Sequence, residues 1–365
     1  MKRVLVVITT AFVKVGGLTS VMMNYYRALD KAELQIDFAS TNIIEKDLET
    51  EISNYNSEYY KLPPRASVFK YMISLAKIGK GYDILHVHGN SATASIELLS
   101  GKIARIPNRI IHIHTSHTDY PKLQIILKPI FHNLYTDALA CSEVAGSWAF
   151  GKRNFTILKN AIDTKKYSFN KPVREEYRKL LGLETEFIFG HIGKMMNAKN
   201  HIFLVQIFKE LLEYNKDFKL LFIGDGELRM KIENEVLRNN LTGNVVFLGM
   251  RQDIPQLLQA MDVFIFPSLW EGLPLSVLEA QASGLPCFIS SSVTNEVNVS
   301  DYTKYLSLNL SAKEWASYII DNLATADRAE VSEKSCSVIK DKKYEIFSVA
   351  QDLYALYMKD KNNKI

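Results

Sequence analysis

The chain of 365 residues is longer than one ordinary hydrophobic core needs, so its length predicts two domains. With 47% hydrophobic and 23% charged residues it has the composition of a globular protein, and a net charge of +4 is too small to require nucleic acid as a partner. The three cysteines lie far apart without a Cys-x-x-Cys or Cys/His spacing, so the sequence supports neither a disulfide framework nor a zinc site. They fit a reducing, cytoplasmic location.

The first half of the chain alternates strand and helix patterns. The run VLVVIT after Lys2 and Arg3 could imitate a signal peptide, but a glycine pair and a helical pattern follow it, so we expect a buried first strand. No stretch approaches the ~20 apolar residues of a membrane span. Strand patterns then recur at 84–88, 110–114, 138–142 and 156–158. This alternation predicts a parallel sheet with helices on both faces.

A second series of strands and helices follows a polar, lysine-rich stretch at 161–183. From Phe187 on, its strands are FIFGHIG, KLLFIG, VVFLG, VFIFP and CFIS. We therefore predict an α/β protein with two Rossmann-like domains, residues 1–168 and 169–343. The last apolar helix, about 344–365, is expected to return to the first domain. Because open parallel sheets bind ligands beyond the carboxyl ends of their strands, we expect the two domains to face a cleft.

The stretch FPSLWEGLPLSVLEAQASGLP, residues 266–286, places two glutamates around a helix N-terminus. Pro274 suits the first helical turn, whose free N–H groups and dipole form an anion site. Glu271 precedes this turn, and Glu279 lies at the edge of the apolar stripe of the helix. Such an arrangement could hold a phosphate with hydroxyl groups on either side, as in a nucleotide-sugar. The alternative is two ordinary solvated or salt-bridged glutamates.

The whole stretch resembles the retaining glycosyltransferases of family 4, which have the GT-B fold, and other motifs follow that family's order along nearly the whole chain. The resemblance implies that Glu271 contacts hydroxyls of the donor sugar and that Glu279 holds the ribose hydroxyls. It also implies that backbone amides of Gly272, Leu273 and Leu275 approach the sugar and the phosphate.

Three further segments carry the resemblance. In GHIGKMMNAKNH, Lys194 and Lys199 take the places of two cations that grip the donor pyrophosphate, although the family usually has arginine at the first. Lysine keeps the charge but loses the bidentate fork of arginine. In FLGMRQDI, Met250 and Arg251 lie near the nucleotide base, and GDGELR resembles a family turn. For the three segments in this order, the alternatives are two surface lysines before a helix, a strand end followed by Asp253 as helix N-cap, and a plain strand-to-helix turn.

In the first domain, Gly16 and Gly17 open a helix after the first strand, and the family has a similar double-glycine loop that reaches the donor phosphate. A tight turn alone is the alternative.

Histidines cluster in DILHVHG and IIHIHTSH. His86 and His88, like His112 and His114, would share one face of their strand. Neither pair comes with a recognisable further ligand, so we expect no metal and no other cofactor. By resemblance, His114 lies near the anomeric centre of the donor. His117 and Asp119 follow it closely in the sequence and are further candidates, outside the resemblance, to face the acceptor.

The predicted function is transfer of a hexosyl group from a nucleotide-sugar, by family frequency a UDP-sugar, with retention of anomeric configuration. The segment ALACSEVAGSWAFG, residues 138–151, followed by NAIDTKKY resembles the branch of the family that assembles exopolysaccharides and capsules, which implies a saccharide or lipid-linked saccharide acceptor. A nucleotide-sugar epimerase or a phosphorylase of the same fold and a catalytically inactive nucleotide- or glycan-binding protein are the alternatives. The apolar segment 121–132 with its two lysines suggests contact with the inner face of the membrane, and a helix packed on the sheet is the alternative.

Overall fold

The computed structural model describes residues 1–13, 17–118, 120–323 and 326–359 and divides the chain into two compact units. The first comprises Met1–Ala161 and the C-terminal segment from Ile346, and the second comprises Ile162–Glu345. The boundaries thus differ by a few residues from the predicted ones, after 168 and after 343. The reason is a parallel bridge between Ile162 and Glu345, next to which the Ile162 amide donates to the Tyr344 carbonyl.

The first unit is a parallel sheet with strand order β3-β2-β1-β4-β5-β6-β7. Its strands are β1 (Lys2–Ile8), β2 (Leu34–Ser40), β3 (Tyr59–Lys61), β4 (Ile84–Gly89), β5 (Asn108–Ile113), β6 (Asp137–Ala140) and β7 (Thr156–Ile157). Its helices are α1 (Gly17–Ala28), α2 (Lys46–Ser53), α3 (Val68–Ile78), α4 (Ser95–Ile103), α5 (Pro121–Phe131) and α6 (Glu143–Phe150). The first strand is central and buried, as predicted.

The second unit is a parallel sheet with strand order β10-β9-β8-β11-β12-β13. Its strands are β8 (Ile188–Ile192), β9 (Lys219–Ile223), β10 (Val245–Gly249), β11 (Val263–Phe266), β12 (Cys287–Ser290) and β13 (Thr303–Leu306). Its helices are α7 (Thr164–Tyr167), α8 (Lys171–Leu181), α9 (His201–Leu211), α10 (Arg229–Arg238), α11 (Ile254–Ala260), α12 (Leu275–Ala282), α13 (Ala312–Asp321) and α14 (Arg328–Asp341). The predicted α/β class with two parallel sheets is confirmed.

The strand orders place one reversal of winding in each sheet, between β1 and β4 and between β8 and β11. Loops that leave neighbouring strands at such a switch point diverge to opposite faces and leave a crevice between them. In the second unit these loops are 193–200 after β8 and 267–274 after β11, which contain the segments singled out in the sequence.

The C-terminal helix α15 (Ile346–Met358) packs against α1 of the first unit, as predicted. The Lys2 ammonium donates hydrogen bonds to the carbonyls of Tyr357 and Met358. The Tyr357 hydroxyl lies 2.6 Å from Nδ1 of His86 on β4, so this helix is joined to the interior of the sheet.

One carboxylate, Asp262, orients β8 and β11 at their amino ends. It pairs with Arg174 at 2.5 Å and with Arg178 at 3.2 Å, and it accepts a hydrogen bond from the Ile188 amide at 2.7 Å. All of these side chains are largely shielded from solvent, so the ion pairs are screened less than surface pairs.

We predict that Asp262→Asn lowers the free energy of unfolding of the second unit by about 2 kcal/mol, because two guanidinium groups lose their counter-ion. Urea unfolding followed by circular dichroism measures this. The matched control is Glu213→Gln, which removes the exposed pair of Glu213 with Lys216. It should change the stability by less than about 0.5 kcal/mol. An equal effect of both substitutions would contradict the role of Asp262.

Candidate functional site

The segment after β8 is held in place by the turn after β9. The Met195 amide donates to the Asp225 carbonyl, and the Leu228 amide donates to the Met195 carbonyl. A Cβ at Gly224 would lie 2.1 Å from the Gly193 carbonyl oxygen, and one at Gly226 would lie 2.5 Å from that of Met195. The Gly-Asp-Gly motif is therefore required for close backbone packing, and it positions the segment that carries both predicted lysines.

Lys199 and Glu271, predicted from separate motifs, meet at the switch point. The Lys199 ammonium lies 2.7 Å from Oε1 of Glu271 and 4.5 Å from the ring centroid of Phe266, and only 15% and 14% of the two charged side chains are exposed. Lys199 and Glu271 therefore form an ion pair, but the ammonium group is not aligned for a hydrogen bond to Oε1 of Glu271. The site therefore presents a cation and a carboxylate side by side in a poorly solvated place.

Backbone bonds fix the two loops that carry this pair. The Leu269 amide donates to the Ala198 carbonyl at 2.7 Å, and the Asn200 side chain donates to the Pro267 carbonyl. Asn200 adopts a positive φ of 54°, which asparagine tolerates better than most residues. The pair is thus preorganised by its loops, and Asn200 and Phe266 are site residues that had no assigned role in the sequence.

The N-terminus of α12 lies in the second of these loops. The helix begins at Leu275, and Pro274 before it has no polar side chain with which to cap the first N–H groups. Gly272 is exposed, whereas the Leu273 side chain is buried in the core and anchors the turn. The uncapped helix end follows Glu271 directly and has the polarity that attracts an anion.

Glu279 lies on α12, where its side chain is half-buried. Burial raises its pKa to about 7, and a hydrogen bond from Tyr167 of α7 opposes this only in part. A carboxyl group with so few donors gains from any ligand that donates hydroxyl protons to it. Tyr167 carried no signal in the sequence, because its approach to Glu279 is a tertiary contact.

The other predicted residues of this unit lie on neighbouring loops of the same sheet. The Lys194 ammonium is 3.6 Å from the Glu227 carboxylate, and both side chains are mostly exposed. Met250 is 62% exposed after β10. Arg251 forms a two-contact ion pair with Asp253, whose carboxylate therefore does not cap α11 as the alternative interpretation required.

The remaining predicted residues belong to the first unit. Gly17 opens α1, and a Cβ there would meet no described atom within 4 Å, so crowding by the described residues does not explain this glycine. Gly16 and Asp119 lie outside the described residues. His114 follows β5, and its Nε2 is 2.9 Å from Nδ1 of His88. Burial lowers the pKa of His114 to about 3, so its imidazole is neutral at physiological pH.

Comparisons with known proteins agree with this architecture. The family model described as Glycosyl transferases group 1 matches residues 186–325. EpsF of Bacillus subtilis (strain 168), which is named as a glycosyltransferase, is 32% identical over 324 residues, 83% of this chain and 84% of EpsF. The Escherichia coli UDP-Gal:alpha-D-GlcNAc-diphosphoundecaprenol alpha-1,3-galactosyltransferase is 33% identical over 244 residues, 61% of this chain and 62% of that protein.

Among solved structures, Anabaena HepE in complex with UDP and glucose superimposes with a TM-score of 0.80 at 16% identity, over 98% of this chain and 99% of that one, which shows a common fold. The chain therefore belongs to the group 1 glycosyl transferases, has their GT-B fold, and is a glycosyltransferase of the polysaccharide-assembly type.

Proposed function

We propose that this glycosyltransferase moves a hexosyl group from a UDP-sugar to a hydroxyl of a lipid-linked saccharide, with retention of anomeric configuration, as in family 4. The observation that carries the proposal is the Lys199–Glu271 ion pair at the β8–β11 switch point, directly before the uncapped N-terminus of α12. Membership of a glycosyltransferase family favours transfer over the epimerase and the inactive binding protein.

The donor diphosphate occupies the positive part of this site. Lys199 is positioned by its loop, the α12 N-terminus offers backbone N–H groups, and the exposed Lys194 can approach from the neighbouring side. These groups stabilise the negative charge that develops on the leaving diphosphate, and they act more strongly where water is scarce. A lysine at position 194 supplies a point charge rather than a bidentate clamp.

Glu271 binds hydroxyls of the transferred sugar rather than attacking it. Its carboxylate is engaged at 2.7 Å by Lys199, which weakens it as a nucleophile and makes it a fixed acceptor for hydroxyl protons. Without a covalent glycosyl intermediate, retention requires the acceptor to attack the face that the diphosphate leaves. The leaving phosphate oxygen is then close enough to take the acceptor proton. His114 near the anomeric centre stays a prediction.

The nucleoside extends from the diphosphate toward Glu279 and the loop after β10. Glu279 accepts the ribose hydroxyls, and the exposed Met250 with the Arg251–Asp253 pair offers a surface for the base. Uracil is supported by the fold relative HepE, which binds UDP, UDP-glucose and glucose in its solved complexes. The Escherichia coli relative is also named for a UDP-sugar donor and a diphosphoundecaprenol acceptor.

A lipid-linked acceptor fits the surface of α5. Gln124 and Phe131 are buried against the first unit, whereas Leu123, Ile125, Ile126 and Ile130 are between 45% and 74% exposed. Lys122 is exposed on the same helix, and Lys128 and Arg153 lie near His132 at its end, whose pKa is lowered by burial and further by these two cations. An apolar face bordered by cations suits the interface of an anionic membrane.

Membrane insertion of α5 would be peripheral. Within the described residues, none of the helices combines the length and apolar character required to cross a bilayer. The helix packs on the unit through one face, as the alternative interpretation expected, and keeps a second apolar face for the membrane.

The transfer reaction is tested by incubating the protein with UDP-glucose, UDP-galactose and UDP-N-acetylglucosamine and an undecaprenyl-diphosphate saccharide. We expect UDP release that depends on the acceptor, and a kcat/KM about 100-fold lower in Lys199→Met, because one preorganised charge at the leaving group is lost. The control is Lys209→Met on the exposed side of α9, which should act like wild type. Change of the sugar nucleotide without acceptor, or full activity of Lys199→Met, would contradict the proposal.

Glu279 makes donor binding depend on pH. Ribose hydroxyls donate to the carboxylate, so binding favours the ionised form, and UDP-glucose affinity should fall as the pH is lowered from 8 to 6, through the raised pKa of about 7. Glu279→Gln should bind about 10-fold more weakly at pH 8 and lose this pH dependence. Isothermal titration with UDP-glucose is suitable, because its diphosphate has no second ionisation in this range.

Two controls separate this effect from a general loss of structure. Glu333→Gln on α14 changes an exposed carboxylate and should leave the binding unchanged. Because burial raises the folded-state pKa of Glu279, the native protein loses stability as the pH rises through 7, and Glu279→Gln should melt higher than wild type at pH 8 but not at pH 5. Equal UDP-glucose affinity of wild type and Glu279→Gln at pH 8 would exclude the ribose role.

Membrane contact is tested by flotation with vesicles containing phosphatidylglycerol. Wild type should float with them, and Ile126→Glu/Ile130→Glu should stay in the soluble fraction, because two exposed isoleucines that would enter the bilayer are replaced by charges that anionic lipid repels. Ile73→Glu on α3 alters an equally exposed isoleucine and should still float. Flotation of the α5 variant to the wild-type extent would contradict this surface.

A further inference from the structure

Three histidines converge inside the first unit, on the face of the sheet that α1 and α15 cover. His86 and His88 point to the same side of β4, and His112 lies directly opposite His88 in the β4–β5 register. Each is at most 1% exposed, and one ring nitrogen from each falls within 4.8 Å of the other two. One pair seen in the sequence and His112 of the other thus form a cluster of three ring nitrogens.

The nitrogens of this cluster lack the partners that buried polar atoms normally have. Nε2 of His86 has no hydrogen bond among the described residues, and neither nitrogen of His112 has a well-aligned one, the Leu158 backbone being a hydrogen-bonding group near that ring. An unpaired buried nitrogen costs free energy, so a cluster of them is expected to serve a ligand. Burial and the neighbouring imidazoles hold the pKa values of all three well below the ordinary value, which keeps their lone pairs free at neutral pH.

Hydrogen-bond partners around the cluster can orient the imidazole rings for metal binding. His86 can donate its Nδ1–H to the Tyr357 hydroxyl at 2.6 Å, which leaves Nε2 as the ligating atom, and Nδ1 of His88 is engaged by His114. A cavity of about 10 Å³ lies beside His88 and is lined by Tyr25, Tyr26 and Tyr357 and otherwise by apolar side chains. Its volume is close to that of one water, which leaves room for a solvent ligand on the His88 side of the cluster.

We propose that His86, His88 and His112 bind one divalent transition-metal ion of the Zn²⁺ class, a site that the motif spacing did not predict. Tetrahedral coordination at 2.0–2.1 Å requires nitrogens about 3.3 Å apart. Metal binding therefore requires the three rings to turn toward one another from nitrogen separations of up to 4.8 Å. Imidazole ligands select Zn²⁺ and its neighbours over Mg²⁺ and Ca²⁺, which prefer oxygen.

The ion would be structural rather than catalytic. It joins β4 to β5 and, through His86 and Tyr357, secures the C-terminal helix on the sheet. The His88–His114 contact then links the site to the residue that the family resemblance places near the donor. The proposal does not depend on the identity of the donor or acceptor.

The test uses the full-length protein with its affinity tag removed, stripped by a chelator and titrated with Zn²⁺ and with Co²⁺. We expect one Zn²⁺ per chain by calorimetry, the visible spectrum of tetrahedral Co²⁺, and a melting temperature higher by about 5 °C with Zn²⁺. His112→Phe keeps an aromatic ring beside Tyr25 and should lose the Co²⁺ spectrum and the Zn²⁺-dependent shift.

His132→Phe is the matched control, since His132 lies outside the cluster on a half-buried site and should bind as wild type does. If His112→Phe does not fold, the proposal is tested with His86→Gln instead. The Zn²⁺ stoichiometry and the Co²⁺ spectrum of this variant are then compared with those of wild type. Absence of stoichiometric binding by wild type, or an unchanged Co²⁺ spectrum in folded His112→Phe or His86→Gln, would overturn the proposal and leave a neutral histidine stack.

Discussion

The Lys199–Glu271 ion pair is the contact on which the account of this enzyme depends. It forms where β8 and β11 lie side by side although they are far apart in sequence, and the loops that follow these strands hold it in place. The loops hold both charged side chains in place where water is scarce, so a ligand can bind to them with little rearrangement of the protein or of solvent. The three N–H groups of Lys199 can contact a diphosphate and Glu271 together while sugar hydroxyls donate to Glu271, so the donor binds without breaking the pair.

Much of the second unit could be predicted from the sequence, because its strands are continuous apolar runs and its glycine turns stand at their ends. In the first unit, by contrast, strand β2 was not predicted from the sequence, because Asp37 interrupts its apolar pattern. The structure shows this aspartate buried and hydrogen-bonded to the Tyr82 hydroxyl and the Glu58 amide. A buried polar residue with tertiary partners cannot be distinguished from a surface residue by periodicity alone.

The candidate site was predictable in its residue types but not in its contacts. Motif order pointed to Lys199, Glu271 and Glu279, whereas the pairing of the first two and the approach of Tyr167 to the third depend on strand order and helix packing. The histidines show the same limit. Their spacing within each strand was visible, but the register that places His88 beside His112 was not.

The most direct test of the central claim is hydrogen–deuterium exchange with and without saturating UDP-glucose at pH 8. If the donor binds at the β8–β11 switch point, peptides covering 193–200 and 267–279 should exchange more slowly with the ligand, while peptides from α13 stay unchanged. Saturation of the protein with UDP-glucose without protection of either segment would contradict the account, because the donor would then be bound away from the Lys199–Glu271 pair.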